Sequence, residues 1–168
     1  LDQEIRKRKV VVADDNRDVN HVIKEILCEY GFQVIQAFDG DEAIHAYFDE
    51  KPDLLLLDYR MPKLDGIDVL KHIKERDPQA VVVFMTGEGS EDVAVAAMKA
   101  GAEDYITKPV SFPELIGLTN KLIKEHDMLL ENIRLKARGD AYKNYLVSIT
   151  ETMGEAVALV EAVERSGR

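Results

Sequence analysis

Five short runs of mostly apolar residues alternate along the chain with longer segments in which apolar residues recur at helical spacing. In three of these runs the apolar residues follow one another without interruption, which is typical of strands buried on both faces of a parallel sheet. The clearest run has four consecutive leucines between Asp53 and Asp58. This alternation, with short connections, predicts a doubly wound α/β fold with a five-stranded parallel sheet. The predicted strands lie at 9–13, 32–37, 53–58, 80–85 and 103–107.

The end of the chain is predicted to be helical. A capping box at Ser111 and Glu114 opens the last helix of the α/β unit, and its apolar spacing continues beyond that unit. Gly139 is predicted to end this helix, because glycine is common just past a helix end. We therefore predict a domain at 1–125 and, at 126–168, an extension made of the prolonged last helix and a second amphipathic helix. The second helix carries a heptad seam at Tyr142, Leu146, Ile149, Met153, Ala156, Val160 and Val163. This seam needs a partner, which could be the long helix of the same chain in a helical hairpin, a second copy of the chain or another protein.

Composition and charge narrow the classes of protein. The 168 residues carry a net charge of -10, which argues against a nucleic-acid-binding surface on this chain. The longest apolar run is far shorter than a membrane span. The one cysteine, Cys28, excludes a disulfide framework, so a cytoplasmic location is the simplest prediction. We expect Cys28 itself to be a small buried hydrophobic residue.

Polar residues follow four of the five predicted strands. Asp14 and Asp15 follow the first strand, Asp58 ends the third, Thr86 follows the fourth and Lys108 the fifth. In a parallel sheet these strand ends share one edge, so the side chains converge. Neighbouring carboxylates repel one another, and Mg²⁺ would relieve that repulsion. A hydroxyl and an ammonium beside them suit a phosphoryl group, and one carboxylate could act as the nucleophile to form an acyl phosphate.

Each of these residues also has a structural interpretation when it is taken alone. Asp14 or Asp15 could cap the following helix, although Asp18 is the favoured N-cap. Thr86 could close a turn, and Lys108 could be a solvated lysine at a strand end. Each structural interpretation fits its own residue, but together they do not explain why all of these residues occur at the strand ends.

The set of residues resembles the signature of the response-regulator receiver domain of two-component signalling. The resemblance covers roughly residues 5 to 125, and 61–66 and 97–102 are also typical of that family. It implies a flavodoxin-like sheet with strand order 2-1-3-4-5 and a cis peptide bond before Pro109. The residues that carry it are Asp14, Asp15, Asp58, Thr86, Tyr105, Lys108 and Pro109.

The resemblance implies a role for each site residue. Asp58 accepts a phosphoryl group from a sensor histidine kinase, and Lys108 binds a phosphoryl oxygen. Thr86 turns its hydroxyl onto the phosphate, and Tyr105 moves inward behind it. The expected cofactor is Mg²⁺, held by Asp14, Asp15, Asp58 and the backbone carbonyl of Arg60.

Further expectations concern the rate at which the phosphoryl group is lost and the way in which the signal is passed on. The side chains of Arg60 and Glu88 are expected to flank the phosphorylation site and to modulate the lifetime of the phosphoryl group. The expected output is protein–protein contact, either with an unknown downstream protein or in a homodimer through the C-terminal helices. We expect no enzymatic activity beyond the chain's own phosphorylation and slow autodephosphorylation.

Two other functions compete with this one. The chain could be the receiver part of a longer transcriptional activator, because the helix after Ile123 resembles the linker of activators that contain an ATPase domain. It could also be a phosphohydrolase of the haloacid-dehalogenase kind. That class carries an Asp-x-Asp pattern after its first strand, which the sequence Asp14-Asp15-Asn16 does not match.

Overall fold

The computed structural model describes residues 6–87 and 89–167. Strands and helices alternate five times, as predicted. The strands are β1 (Lys9–Ala13), β2 (Gln33–Ala37), β3 (Leu54–Asp58), β4 (Val82–Thr86) and β5 (Asp104–Thr107). The helices are α1 (Arg17–Glu29), α2 (Gly40–Glu50), α3 (Gly66–Arg76), α4 (Glu91–Lys99) and α5 (Phe112–Ser166). The chain divides into two compact units, Leu1–Glu125 and His126–Arg168.

The five strands form one parallel sheet in the order β2-β1-β3-β4-β5, which confirms the predicted fold class. The four leucines of β3 are fully buried, because this strand is central and both faces of the sheet are covered. Side chains alternate between the two faces. Leu55 and Leu57 pack with α2, α3 and α4, whereas Leu54 and Leu56 pack with α1 and the first turns of α5.

Helix α1 differs from expectation at two residues. Its N-cap is Asn16, whose side chain accepts hydrogen bonds from the N–H groups of Asp18 and Val19, so the prediction of Asp18 as the cap is wrong. The helix therefore begins earlier than that cap would require. Cys28 is exposed rather than buried, because the buried stripe passes through Leu27 and the next residue is turned about 100° away.

Helix α5 is continuous from Phe112 to Ser166, so the predicted stop at Gly139, the separate second helix and a hairpin of the two helices are wrong. A stop of that kind uses a glycine with positive φ. Among the described residues the glycines with positive φ are Gly31, Gly89 and Gly101. One glycine in a helix interior costs only about 1 kcal/mol, which the helix-forming residues on both sides of it can offset.

No helix in residues 6–87 or 89–167 combines the length and the apolarity that a bilayer crossing requires.

The continuous helix leads to a prediction about Gly139. Gly139→Ala should stabilise α5 locally by about 1 kcal/mol, because alanine loses less conformational entropy in a helix interior. Hydrogen exchange of the amides around residue 139 in the full chain measures this change. Gly31→Ala is the matched control, since a Cβ at Gly31 meets no atom within 4 Å but φ there is +89°. The control should lose stability, and a loss at Gly139 as well would contradict the continuous helix.

Candidate functional site

The site lies at the carboxyl edge of the sheet, where β1 and β3 end beside each other. Asp58 is the last residue of β3, and Asp14 follows the last residue of β1. The register pairs Ala13 with Leu57, which brings the two carboxylates to adjacent positions. Gly66 opens α3 directly behind the site, where a Cβ would overlap the backbone oxygen of Asp58. A glycine is therefore needed at this point for α3 to approach the site.

Lys108 joins the two carboxylates. Its Nζ lies 2.5 Å from Oδ2 of Asp14 and 2.8 Å from Oδ1 of Asp58. The backbone N–H of Lys108 donates to the carbonyl of Thr86 at 2.7 Å, which anchors the lysine to the end of β4. The Lys108–Pro109 peptide bond is cis, as the resemblance implied.

The electrostatic balance at this site favours added positive charge. Burial raises the pKa of Asp58, and the charge of Asp14 raises it further, while Lys108 and the N–H of Tyr59 act in the opposite direction. Burial alone would lower the pKa of Lys108, but its bonds to Asp14 and Asp58 raise it. One ammonium beside three carboxylates, counting Asp15, leaves two negative charges when all four groups are ionised.

The three carboxylates fit a divalent cation. Asp14, Asp15 and Asp58 each offer an oxygen within 4.8 Å of the others, and Asp15 is exposed while the other two are buried. Hard oxygen ligands with open space beside them suit Mg²⁺, which keeps several waters in proteins. That space is a cavity of about 440 Å³ lined by Asp15, Tyr59, Arg60, Met61, Pro62 and Asp65.

Two further predicted residues lie on the strands that complete this edge of the sheet. Thr86 is buried at the end of β4, one residue beyond the partner of Asp58 in the strand register. Tyr105 on β5 is 43% exposed and lines, together with Thr86, a cavity of about 630 Å³ beside α4. The side chain of Arg60 is exposed. Glu88 lies outside the described residues.

The sequence interpretation missed the residues that support the site. The N–H of Asn16 donates to Oδ1 of Asp14 at 2.9 Å. Asn20 is fully buried and hydrogen-bonded to the backbone around Asp14. A polar residue in the apolar stripe of α1 was the signal available for Asn20, because a buried amide needs partners.

A model of the response regulator receiver domain matches residues 10–120 of the chain, which is more than half of it. The chain belongs to the response regulator receiver family. The fold, the strand order and the acidic cluster of this receiver domain agree with the family named from its sequence motifs.

The receiver domain is similar to parts of longer regulators. The transcriptional regulatory protein CpxR of Klebsiella pneumoniae is 39% identical over 116 residues, 69% of this chain and 49% of CpxR. The DNA-binding transcriptional regulator NtrC of Proteus hauseri is 33% identical over 165 residues, 98% of this chain and 33% of NtrC. The chain thus spans about half the length of CpxR and a third of NtrC.

A solved structure agrees with this assignment. The receiver domain of NtrX from Brucella abortus matches with a TM-score of 0.66 and 34% identity, over 68% of this chain and 98% of that one.

The charge balance predicts a change in stability. Asp58→Asn should raise the free energy of unfolding in metal-free buffer at pH 7. The substitution removes one buried negative charge, so Lys108 then pairs with Asp14 alone. Mg²⁺ at one hundred times its dissociation constant should stabilise the wild type by about 2.7 kcal/mol and the variant by much less. Chemical unfolding with and without Mg²⁺ measures both effects.

The matched control for this prediction is Asp53, which lies directly before the other end of β3. The Asp53 carboxylate accepts from the N–H of Lys9 at 2.8 Å and pairs with Arg8 at 3.2 Å. Asp53→Asn should therefore lower the stability and leave the response to Mg²⁺ intact. A destabilised Asp58→Asn variant would contradict the charge argument.

Proposed function

We propose that the chain is a phosphorylation-controlled switch that accepts a phosphoryl group on Asp58 from a sensor histidine kinase. The observation that carries this proposal is the position of Asp58, which is buried against Lys108 beside two further carboxylates in a receiver domain. An aspartate that only caps a strand or a turn would not need to share the ammonium of Lys108 with Asp14.

The proposed reaction transfers the phosphoryl group from a histidine of the kinase to Asp58. A carboxylate oxygen of Asp58 forms a bond to phosphorus while the bond from phosphorus to the histidine nitrogen breaks. The imidazole leaves with the electron pair of that bond and takes a proton from solvent. Lys108 then contacts a phosphoryl oxygen. Slow attack by water on phosphorus breaks the bond to the Asp58 oxygen, which releases inorganic phosphate and restores the free carboxylate. These are reactions on the chain itself, so we propose no enzymatic activity on other substrates.

Mg²⁺, when bound, supplies positive charge to the acidic cluster and to the phosphoryl oxygens. Asp14 and Asp15 would hold it together with Asp58, and the backbone carbonyl of Arg60 is proposed as a further ligand. The N–H of Gly66 donates to the carbonyl of Tyr59, and that of Gly40 donates to Pro62, which restrains the loop containing Arg60.

The proposed switch acts through Thr86 and Tyr105. The hydroxyl of Thr86 turns toward the phosphoryl group, and Tyr105 moves from its exposed position into the cavity that both residues line. This is a shift of population between two arrangements of one fold. The surface beside α4 and β5 changes as a result, and we propose that it signals to a protein partner.

The wider context of the switch is a second proposal. Similarity to NtrC extends over 98% of the chain, which favours the receiver part of a longer transcriptional regulator over a protein that acts alone. The DNA-binding activity in the name of that relative would then belong to other segments, since this chain carries a net charge of -10. A cytoplasmic location remains a prediction that rests on the single cysteine.

The phosphorylation assay tests the first proposal. Acetyl phosphate with Mg²⁺ should add one phosphoryl group to the wild type, and Asp58→Asn should show none in intact-mass spectra. Removing Mg²⁺ with a chelator should have the same effect, because charge neutralisation supplies most of this catalysis. Asp53→Asn is the control and should be modified normally. A fully modified Asp58→Asn variant would reject the assignment.

The decay of the phosphoryl group in the same assay addresses the predicted tuning role of Arg60 and Glu88. An exposed ion pair contributes about 0–1 kcal/mol, so replacing both residues by alanine should shorten the lifetime only a few-fold. A lifetime that stays the same or lengthens would count against that role.

We also propose that the C-terminal unit forms a dimer with a second copy. The helix is uninterrupted, so the spacing of the seam continues backward from Tyr142 through Gly139, Leu135, Asn132 and Met128. A heptad seam is self-complementary, and a single Asn within one commonly sets its register. Most of the apolar seam residues are exposed in the single chain, whereas Ile149 is partly buried; the exposed ones are Met128, Leu135, Tyr142, Leu146, Met153, Ala156, Val160 and Val163.

Truncation tests the dimer. Removing residues 138–168 should make the chain monomeric or change how its association responds to phosphorylation, because most of the seam is lost. Sedimentation of the full and truncated chains, each with and without beryllium fluoride as a phosphoryl mimic, measures this. If both chains remain monomeric under every condition, the dimer is excluded and the seam serves a different contact.

A further inference from the structure

A fully buried amide side chain lies beneath the acidic loop. Nδ2 of Asn20 lies 3.2 Å from the carbonyl oxygen of Val12, 3.0 Å from that of Asp14 and 2.9 Å from that of Ala37. Oδ1 of the same amide accepts from Nε2 of Gln36 at 2.9 Å. One side chain on α1 is therefore bonded to β1, to β2 and to the loop between β1 and α1.

The partners of Asn20 fix its orientation. A reversed amide would place Oδ1 against three carbonyl oxygens, so these three contacts fix the orientation and leave Oδ1 to accept from Gln36. Asn20 lies in the buried stripe of α1 with Ile23 and Leu27, which directs its side chain toward the sheet.

The main chain of Asp14 depends on this amide. The β1 strand ends at Ala13, so the carbonyl of Asp14 has left the ladder and needs another donor, which Asn20 provides. The N–H of Asp14 donates to the carbonyl of Ala37, which Asn20 also contacts. Asp14 is thus held on both sides, and the next residue along the chain is Asp15, the exposed member of the acidic cluster.

We propose that Asn20 is a positioning residue that holds Asp14 and Asp15 in the geometry required for binding a divalent cation. It does not touch the cation; it restrains the backbone from which both carboxylates extend. Without it, the loop samples more conformations, and cation binding must order the loop as well. The inference rests on the Mg²⁺ site of the proposed function, and it adds a residue outside the family signature that identified this site.

The test is the affinity of the full chain for Mg²⁺ alone, without a phosphoryl donor. Following the amide signals of Asp15 and Asp58 by nuclear magnetic resonance during a Mg²⁺ titration gives the dissociation constant. Asn20→Ala should weaken binding about 10-fold, which is the scale found when groups that orient metal ligands are removed. The amide of Asp14 should also exchange its hydrogen faster, while amides in the centre of β3 stay protected.

Two further variants keep the outcome clear. Ile23→Ala removes buried apolar volume from the same helix, so it should lower thermal stability without changing the affinity for Mg²⁺. Gln36→Met removes only the donor to Asn20 and should weaken Mg²⁺ binding by a smaller factor. This variant replaces Asn20→Ala in the test if Asn20→Ala fails to fold. If the wild type does not bind Mg²⁺, the proposed metal site fails. The role of Asn20 is overturned if the wild type binds Mg²⁺ and a folded Asn20→Ala or Gln36→Met variant binds it equally well. It is also overturned if Ile23→Ala weakens Mg²⁺ binding as much as Asn20→Ala does.

Discussion

Lys108 contacts two buried carboxylates at once, and the arrangement of the site depends on this shared contact. Its ammonium lies 2.5 Å from Asp14 and 2.8 Å from Asp58, although the two acids lie far apart in the sequence. One positive charge cannot balance both acids and Asp15 as well. The pKa of Asp58 is raised by its burial despite the contact with Lys108, so the site holds unfavourable negative charge. Such a site gains from a divalent cation, which supplies the positive charge that Lys108 alone does not provide.

The sheet makes this arrangement possible because its central strands are rigid and buried. The leucines of β3 and the apolar residues of β1 and β4 are fully covered on both faces, so the strand ends have little freedom to move apart. The loop after β1 needs additional restraint, which Asn16 provides as the N-cap of α1 and Asn20 provides from within that helix. The charged groups therefore remain close together although they repel one another, and the cost is offset by the packing of the domain.

In the described residues up to 167, the C-terminal unit is not stabilised by a buried core as the receiver domain is. Its residues from 128 to 148 are exposed in the single chain, and its apolar stripe lacks the tertiary contacts that bury the helices of the receiver. A helix of that kind gains most of its stability from a partner rather than from intrinsic propensity. Association is therefore the natural function to propose for this unit.

The sequence alone determined the elements whose signal is local. Buried strands require continuous apolar residues, so the leucine run and the two valine-rich runs identified β3, β1 and β4. The carboxyl ends of parallel strands meet, so the cluster of Asp14, Asp15, Asp58 and Lys108 followed from topology and the family resemblance. The tertiary structure decided the rest. The cap at Asn16 and the passage of α5 through Gly139 each depend on differences of about 1 kcal/mol between alternatives that a local pattern does not separate. The exposure of Cys28 depends on which side of α1 faces the sheet. The contacts of Asn20 join three segments that only the folded chain brings together.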